Sequence, residues 1–123
     1  MEQKICLDTD VVIAILNGES RAVDLVDKIK DQEVYISTVT LFELLLRETN
    51  LEQIEVFRNK VRILNFDELS SRRASLIFKY LKKKGKIIDF RDLFIASICS
   101  TTNCRLATFN KRHFVNIDEL KLI

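Results

Sequence analysis

Three acidic residues stand where apolar segments begin or are interrupted. Asp8 follows the short apolar run 4–7, Glu43 lies inside the leucine-rich segment 40–46, and Asp92 directly precedes the apolar run 93–99. Clustered carboxylates repel one another and resist ionising together, and a divalent cation removes that repulsion. Oxygen ligands without cysteine or histidine favour Mg²⁺ or Mn²⁺ over zinc. Such an ion activates water and stabilises phosphoryl oxygens.

Each carboxylate also has a simpler interpretation, which the sequence leaves open. Asp8 is a favoured residue for capping the helix that follows it. Glu43 can face solvent or pair with Arg47 one helical turn later. Asp89 or Asp92 can favour a helix N-terminus through charge and capping alone.

Short apolar strands alternate with helices along the chain, which predicts a single α/β domain over residues 1–123. We expect a three-layer α/β/α architecture, with a mostly parallel sheet of about five strands covered by helices on both faces. Ligands bind such sheets outside the carboxyl ends of the strands, where Asp8 stands. The predicted strands are 4–7, 34–36, 61–64, 105–108 and a short fifth at 121–123. The predicted helices are 10–17, 21–31 (capped by Ser20), 39–48 (capped by Ser37 or Thr38), 51–59, 68–84 (capped by Asp67) and 90–101.

Composition excludes several classes of protein. Among 123 residues, 20 are Lys or Arg and 18 are Asp or Glu, so the net charge of +2 does not fit a module that holds nucleic acid by bulk charge. The chain has no proline and two glycines, too few turn residues for an all-β fold. We find no apolar run of about 20 residues and no signal-peptide core, and expect a cytoplasmic protein without membrane contact. Cys6, Cys99 and Cys104 do not have the spacing of a zinc site, and we expect them to be reduced and mostly buried.

Four segments, taken in order, resemble the signature segments of PIN domains, and most of all the VapC toxin ribonucleases of VapBC toxin–antitoxin pairs. They are Asp8-Thr9-Asp10 after an apolar strand, STVTLFE from Ser37 to Glu43, GKIIDFRDLFIA from Gly85 to Ala96, and LATFNKRHF from Leu106 to Phe114. The resemblance covers nearly the whole chain. It implies that Asp8, Glu43 and Asp92 are both metal ligands and catalytic residues. It further implies an endoribonuclease that uses Mg²⁺, for which Mn²⁺ substitutes, to hydrolyse RNA phosphodiester bonds.

The resemblance also assigns accessory positions. Thr9 and Thr108 match small polar residues that line the pocket, although ordinary helix capping also explains them. Asp89 is an accessory acid or merely a cap. Asn110 departs from the family pattern, because PIN domains often carry a fourth acid there. An amide adds no negative charge, so a second metal ion has less support.

Basic residues flank the proposed acids. Lys86 and Arg91 precede Asp92, while Lys111 and Arg112 follow Asn110. They are candidates to contact RNA phosphates, since lysine and arginine supply most sequence-independent affinity for nucleic acid. A solvated helix end that complements the helix dipole explains the first pair equally well. The sole histidine, His113, has no partner of metal-ligand spacing, and we expect a surface or packing role for it beside Phe114.

The resemblance implies three partners: RNA as substrate, a VapB-like antitoxin, and a second copy of the chain in a homodimer. An apolar cluster in the region 42–57 offers a surface for dimerisation, and an antitoxin helix would also use an apolar groove. The cluster consists of Phe42, Leu45, Leu46, Leu51, Ile54 and Phe57. Packing in the core is an alternative explanation for each of these residues taken singly.

Three other functions compete with the nuclease. A non-catalytic RNA- or protein-binding module on the same PIN-like fold has Asn110 as its only hint. A receiver-like domain would carry an aspartate after a middle strand, yet Asn65 follows Leu64, and the segment 106–108 lacks the lysine expected after a later strand. A nucleotide-binding enzyme is disfavoured, because neither GxxxxGK[ST] nor GxGxxG occurs in the sequence.

Overall fold

The short apolar segments of the chain form one parallel sheet, and the segments between them form helices. The computed structural model describes residues 3–123. The strands are β1 (Lys4–Leu7), β2 (Glu33–Ser37), β3 (Arg62–Leu64) and β4 (Arg105–Ala107). The helices are α1 (Thr9–Leu16), α2 (Ser20–Ile29), α3 (Thr38–Leu45), α4 (Leu51–Arg58), α5 (Glu68–Lys83) and α6 (Phe90–Thr102), followed by a short 3-10 helix (Lys111–His113).

The strand order is β3-β2-β1-β4, and all pairs are parallel. Cys6 of β1 pairs with Tyr35 of β2 on one side and with Leu106 of β4 on the other. The chain therefore leaves β1 in one direction to build β2 and β3, and returns to its other side to add β4. The carboxyl end of β1 lies at this switch point, where open α/β sheets bind ligands.

Alternate residues of each strand face opposite sides of the sheet and enter two separate cores. Cys6 and Leu106 pack with α5 and α6 on one face. Ile5, Leu7 and Ile36 pack with residues from the first four helices on the other. The sheet is thus covered on both faces, which confirms the predicted α/β/α architecture and explains why successive residues inside each strand are apolar.

Helices α3 and α5 each begin at a side chain that caps their first turn. The Ser37 hydroxyl accepts a hydrogen bond from the Thr40 N–H, so α3 starts directly where β2 ends. Asp67 caps α5 in the same way through the Ser70 N–H, as the sequence predicted. Ser20 is the first residue of α2 and not its cap, because the extended backbone that precedes the helix belongs to Glu19.

Helix α6 carries Asp92 in its first turn and is the most deeply buried helix of the fold. Leu93, Ile95, Ala96 and Ile98 are almost inaccessible to solvent. The helix ends at Asn103, whose left-handed backbone brings the Cys104 N–H to the Cys99 carbonyl. Within residues 3–123, neither α6 nor any other helix has the length and apolarity needed to span a bilayer.

The sheet has four strands in the described residues, against the predicted count of about five, because the segment 121–123 pairs with β4 through a single bridge and not as a full strand. Leu122 makes an isolated parallel bridge with Leu106, held by hydrogen bonds from the Leu106 N–H to Lys121 and from the Ile123 N–H to Leu106.

Candidate acidic site

Three strands deliver polar residues to one edge of the sheet. Asp8 follows β1, Ser37 ends β2 and leads into α3, and Thr108 follows β4. Because neighbouring parallel strands end at the same edge, these residues lie together although they are far apart in sequence. Glu43 reaches this edge from α3, and Asp92 reaches it from the first turn of α6.

The carboxylates of Asp8, Glu43 and Asp92 converge on the guanidinium group of Arg91. Its Nε donates to both oxygens of Glu43 at 2.9 Å. Its Nη1 lies 2.6 Å from Asp92 Oδ1, and its Nη2 lies 2.5 Å from Asp8 Oδ1. Each nitrogen of the guanidinium group therefore donates to a different acid, an arrangement that charge-assisted hydrogen bonds favour.

Burial differs between the acids and the arginine. The side chains of Asp8 and Asp92 are 2% and 7% exposed, whereas those of Glu43 and Arg91 are 29% and 32% exposed. Two carboxylates are thus fixed inside the fold, and the third lies at the rim with the guanidinium. One positive charge faces three negative charges, so the cluster keeps an excess of negative charge that favours a further cation.

Three hydrogen-bond donors from Thr9 and Thr108 orient the acids. Thr108 Oγ1 donates to Asp8 Oδ2 at 2.8 Å, and the Thr9 N–H donates to Asp8 Oδ1 at 2.8 Å. The Thr9 hydroxyl donates to Glu43 Oε1 at 2.7 Å. Asp8 therefore caps α1 and belongs to the acidic cluster at the same time, so the two interpretations of this residue are compatible.

Asp10 and Asn110 form a second polar pair beside the cluster. Asn110 Nδ2 donates to Asp10 Oδ2 at 3.0 Å, and the Phe109 N–H donates to the same oxygen at 3.1 Å. Asp10 Oδ1 is buried with no hydrogen-bond partner among residues 3–123. Burial, and then the negative charge of Asp8, raise the pKa of Asp10 above its usual value.

In Arg91, unlike in Asp10, the charged form of the side chain is favoured in spite of burial. Burial disfavours the charged guanidinium, but the hydrogen bonds to Glu43, the charge of Asp8 and the remaining contacts outweigh it and raise the pKa of Arg91. Arg91 is therefore a permanent cation in this site, and it stabilises the three acids without the exchange of a proton.

The residues fit a divalent ion in their chemistry but not in their present arrangement. All three acids offer hard oxygen ligands, and Asp10 adds a buried oxygen that no residue from 3 to 123 binds. Yet in the described part of the chain no three Asp, Glu, His or Cys residues lie close enough to hold one ion as they stand. Arg91 lies between the acids and contacts all three of them, so an ion shared by these acids would require its side chain to move.

His113 belongs to the rim of the site, which the sequence did not predict. Its Nδ1 lies 3.4 Å from Asp92 Oδ2, an ion-pair distance when the imidazole is protonated. The 3-10 helix that follows β4 carries His113 to this edge. Because β4 lies next to β1, a residue a few positions after the carboxyl end of β4 can reach the acids. This strand order was the one signal that could have predicted the contact of His113.

The remaining predicted residues lie outside the acidic cluster. Asp89 occupies the N-cap position of α6, but its carboxylate accepts no capping hydrogen bond from the described residues. Glu43 pairs with Arg91 and not with Arg47, the partner considered from the sequence. The side chains of Lys86, Lys111 and Arg112 are exposed, and Arg112 lines a cavity together with Asp92 and His113.

An apolar cavity of about 550 Å³ adjoins the cluster. Glu43 and Arg91 form its polar side, and Phe42, Leu46 and Phe94 contribute to its apolar side. Phe42 and Leu46 are largely exposed. The acidic site therefore opens directly onto an apolar surface.

Known proteins resemble the chain in sequence and in structure. A model of the PIN domain family matches residues 5–120. Ribonuclease VapC3 of Methanocaldococcus jannaschii is 42% identical over 93 residues, which are 75% of this chain and 94% of that protein. Ribonuclease VapC10 of Mycobacterium tuberculosis is 33% identical over 120 residues, covering 95% and 90% of the two chains. A chain of VapBC2 from Rickettsia felis, bound to a DNA fragment from its promoter, superimposes with a TM-score of 0.85 at 25% identity over 98% of both chains.

Proposed function

This chain belongs to the PIN domain family, which confirms the resemblance of its four sequence segments, and on that premise we propose that it is a VapC-like toxin ribonuclease. Asp8, Glu43 and Asp92 are its catalytic residues, and RNA phosphodiester bonds are its substrate. The observation that carries the proposal is the convergence of these three acids on one point at the carboxyl edge of the sheet. The ribonuclease names of its VapC relatives support it.

We propose that the same three acids hold Mg²⁺, or Mn²⁺ in its place, after Arg91 withdraws. Their hard oxygen atoms and their excess negative charge support this ion. When bound, it would supply a water of lowered pKa and neutralise charge that develops on the phosphoryl oxygens.

The chain's own residues would prepare this reaction. Thr108 and the Thr9 N–H fix the two Asp8 oxygens, and the Thr9 hydroxyl orients Glu43. Fixed ligands cost little reorganisation during reaction, which is the main source of electrostatic catalysis. The exposed Lys86, Lys111 and Arg112 would bind flanking phosphates, because their charges face solvent and Arg112 lines a cavity with Asp92.

A VapB-like antitoxin is the partner that this function requires. Structural relatives are VapBC complexes, such as that of Rickettsia felis. The apolar cavity beside Glu43 and Arg91 offers a groove for an amphipathic helix of that antitoxin, which would cover the acids. A homodimer would use the neighbouring exposed leucines Leu45 and Leu51. We place this activity in the cytoplasm, where RNA is available.

Cleavage of RNA by purified protein tests the proposal. We expect Mg²⁺- or Mn²⁺-dependent cleavage of a structured RNA that is lost with EDTA and reduced at least about 100-fold by Asp92→Asn. Asp89→Asn is the matched control, since it makes the same chemical change three residues earlier and outside the cluster. Growth arrest on induction should follow the same pattern. RNA binding without any cleavage would favour the non-catalytic module instead, and equal cleavage by both variants would remove Asp92 from the site.

A further inference from the structure

Arg91 occupies the position that an ion shared by the three acids would take. Its three nitrogens each bind a different carboxylate, at distances between 2.5 and 2.9 Å. An Mg²⁺ ion requires oxygen ligands at about 2.1 Å around one centre. The guanidinium group and the ion therefore cannot be held by the same three oxygens at once.

The arginine is also the member of the cluster that is best able to leave. Its side chain is about one-third exposed, and it lines the open cavity beside Glu43. Asp8 and Asp92 are nearly inaccessible and stay fixed by the sheet and by α6. A rotation of its long side chain towards that cavity would withdraw the guanidinium group from the acids.

We propose that Arg91 is a built-in competitor of the metal ion. In the metal-free protein it neutralises part of the acidic charge and holds β1, α3 and α6 together, and a divalent cation must displace it to bind. This inference rests on the metal site proposed above. By thermodynamic linkage, the ion weakens the contacts of Arg91 with the acids by the same free energy by which Arg91 weakens binding of the ion.

Binding of Mn²⁺ to purified variants tests the competition without any measurement of cleavage. Free Mn²⁺ is followed by electron paramagnetic resonance during titration of the wild-type protein, Arg91→Met and Arg112→Met. Arg112 is exposed and lines a cavity with Asp92, so its replacement removes one positive charge but no guanidinium from the cluster. We expect the Kd for Mn²⁺ to fall at least about tenfold in Arg91→Met and much less in Arg112→Met.

Thermal denaturation of the same proteins gives a second readout. Without metal, Arg91→Met should melt below the wild-type protein, because three carboxylates are left without their shared partner. Saturating Mn²⁺ should raise its melting temperature more than it raises that of the wild-type protein. If Arg91→Met does not fold, Arg91→Lys serves instead, since one ammonium group cannot bind all three acids in the same geometry and should bind Mn²⁺ with intermediate affinity.

The wild-type protein supplies a test that needs no substitution. In NMR spectra, the Arg91 Nε–H signal should report its bonds to Glu43 in the metal-free protein and should shift on titration with diamagnetic Mg²⁺. Mn²⁺ affinities that are equal in the wild-type protein and Arg91→Met, or an unchanged Arg91 signal while Mg²⁺ binds, would overturn the competition but leave the metal site intact. Failure of every variant to bind Mn²⁺ would overturn the metal site itself.

Discussion

The Nε atom of Arg91 lies 2.9 Å from each carboxylate oxygen of Glu43, although 48 residues separate the two side chains. The contact joins the first turn of α6 to the middle of α3. It draws the most exposed acid of the cluster towards Asp8 and Asp92, and so completes the convergence on which the proposed nuclease depends.

The hydroxyl of Thr108 should stabilise both the fold and the position of Asp8. Thr108→Val keeps the volume of the side chain but leaves the buried Asp8 Oδ2 without its donor. We expect a loss of about 1–3 kcal/mol in the free energy of unfolding, measured by urea denaturation. Thr108→Ser retains the hydroxyl and should lose less than half of that amount. Equal stability of Thr108→Val and the wild-type protein would show that this hydrogen bond is dispensable.

Asp67, which caps α5, should make the stability of the fold depend on pH in the acid range. Hydrogen bonds from the backbone and side chain of Ser70 lower the pKa of Asp67 below its model-compound value of 3.8. The contribution of its charge is therefore fully present above that value and is lost as the pH falls through the lower folded-state pKa.

The matched variants for this pH dependence are Asp67→Ala and Asp67→Asn. Asp67→Ala should lower the melting temperature most at neutral pH and progressively less below pH 3.8. Asp67→Asn keeps an oxygen that can cap α5, so its melting temperature should exceed that of Asp67→Ala at neutral pH. Thermal denaturation across the acid range measures both effects, and a difference between Asp67→Ala and wild type that is constant with pH would contradict the assignment.

Self-association should depend on the exposed leucines that follow Glu43. Leu45 is 45% exposed, whereas Leu76, which lies on α5, is 59% exposed and serves as the control. Light scattering should give twice the chain mass of 14.4 kDa for the wild-type protein and for Leu76→Asp. Leu45→Asp should shift the protein towards the monomer, because a charge at an apolar interface is costly to bury. A wild-type monomer at all concentrations would exclude the homodimer.

The sequence predicted the architecture more completely than the site. Periodicity and caps located β1 and β2 and the helices to within a few residues, because local preferences and burial agree in these segments. The sequence did not show that Arg91 and His113 reach Asp92, one from the adjacent position in the helix and the other from beyond β4. Contacts of this kind depend on side-chain direction and strand order, which residue types and spacing do not specify.

Arg91 illustrates the limit most clearly. From its charge, the sequence makes Arg91 a candidate to contact RNA phosphates, with a solvated helix end as an equal alternative. The structure instead pairs it with three acids of its own chain. The prediction that it contacts RNA remains compatible with displacement by a metal ion, since a released guanidinium would lie at the mouth of the site.

The position of a bound ion tests the central claim most directly. Crystals of the wild-type protein grown with Mn²⁺ should show one anomalous scattering peak between the carboxylates of Asp8, Glu43 and Asp92, with ligand distances of about 2.1 Å and the Arg91 guanidinium moved away. Crystals of Asp92→Asn should show that peak weakened or absent. A wild-type peak elsewhere in the molecule, or no peak at saturating Mn²⁺, would contradict a shared metal site and with it the proposed ribonuclease chemistry.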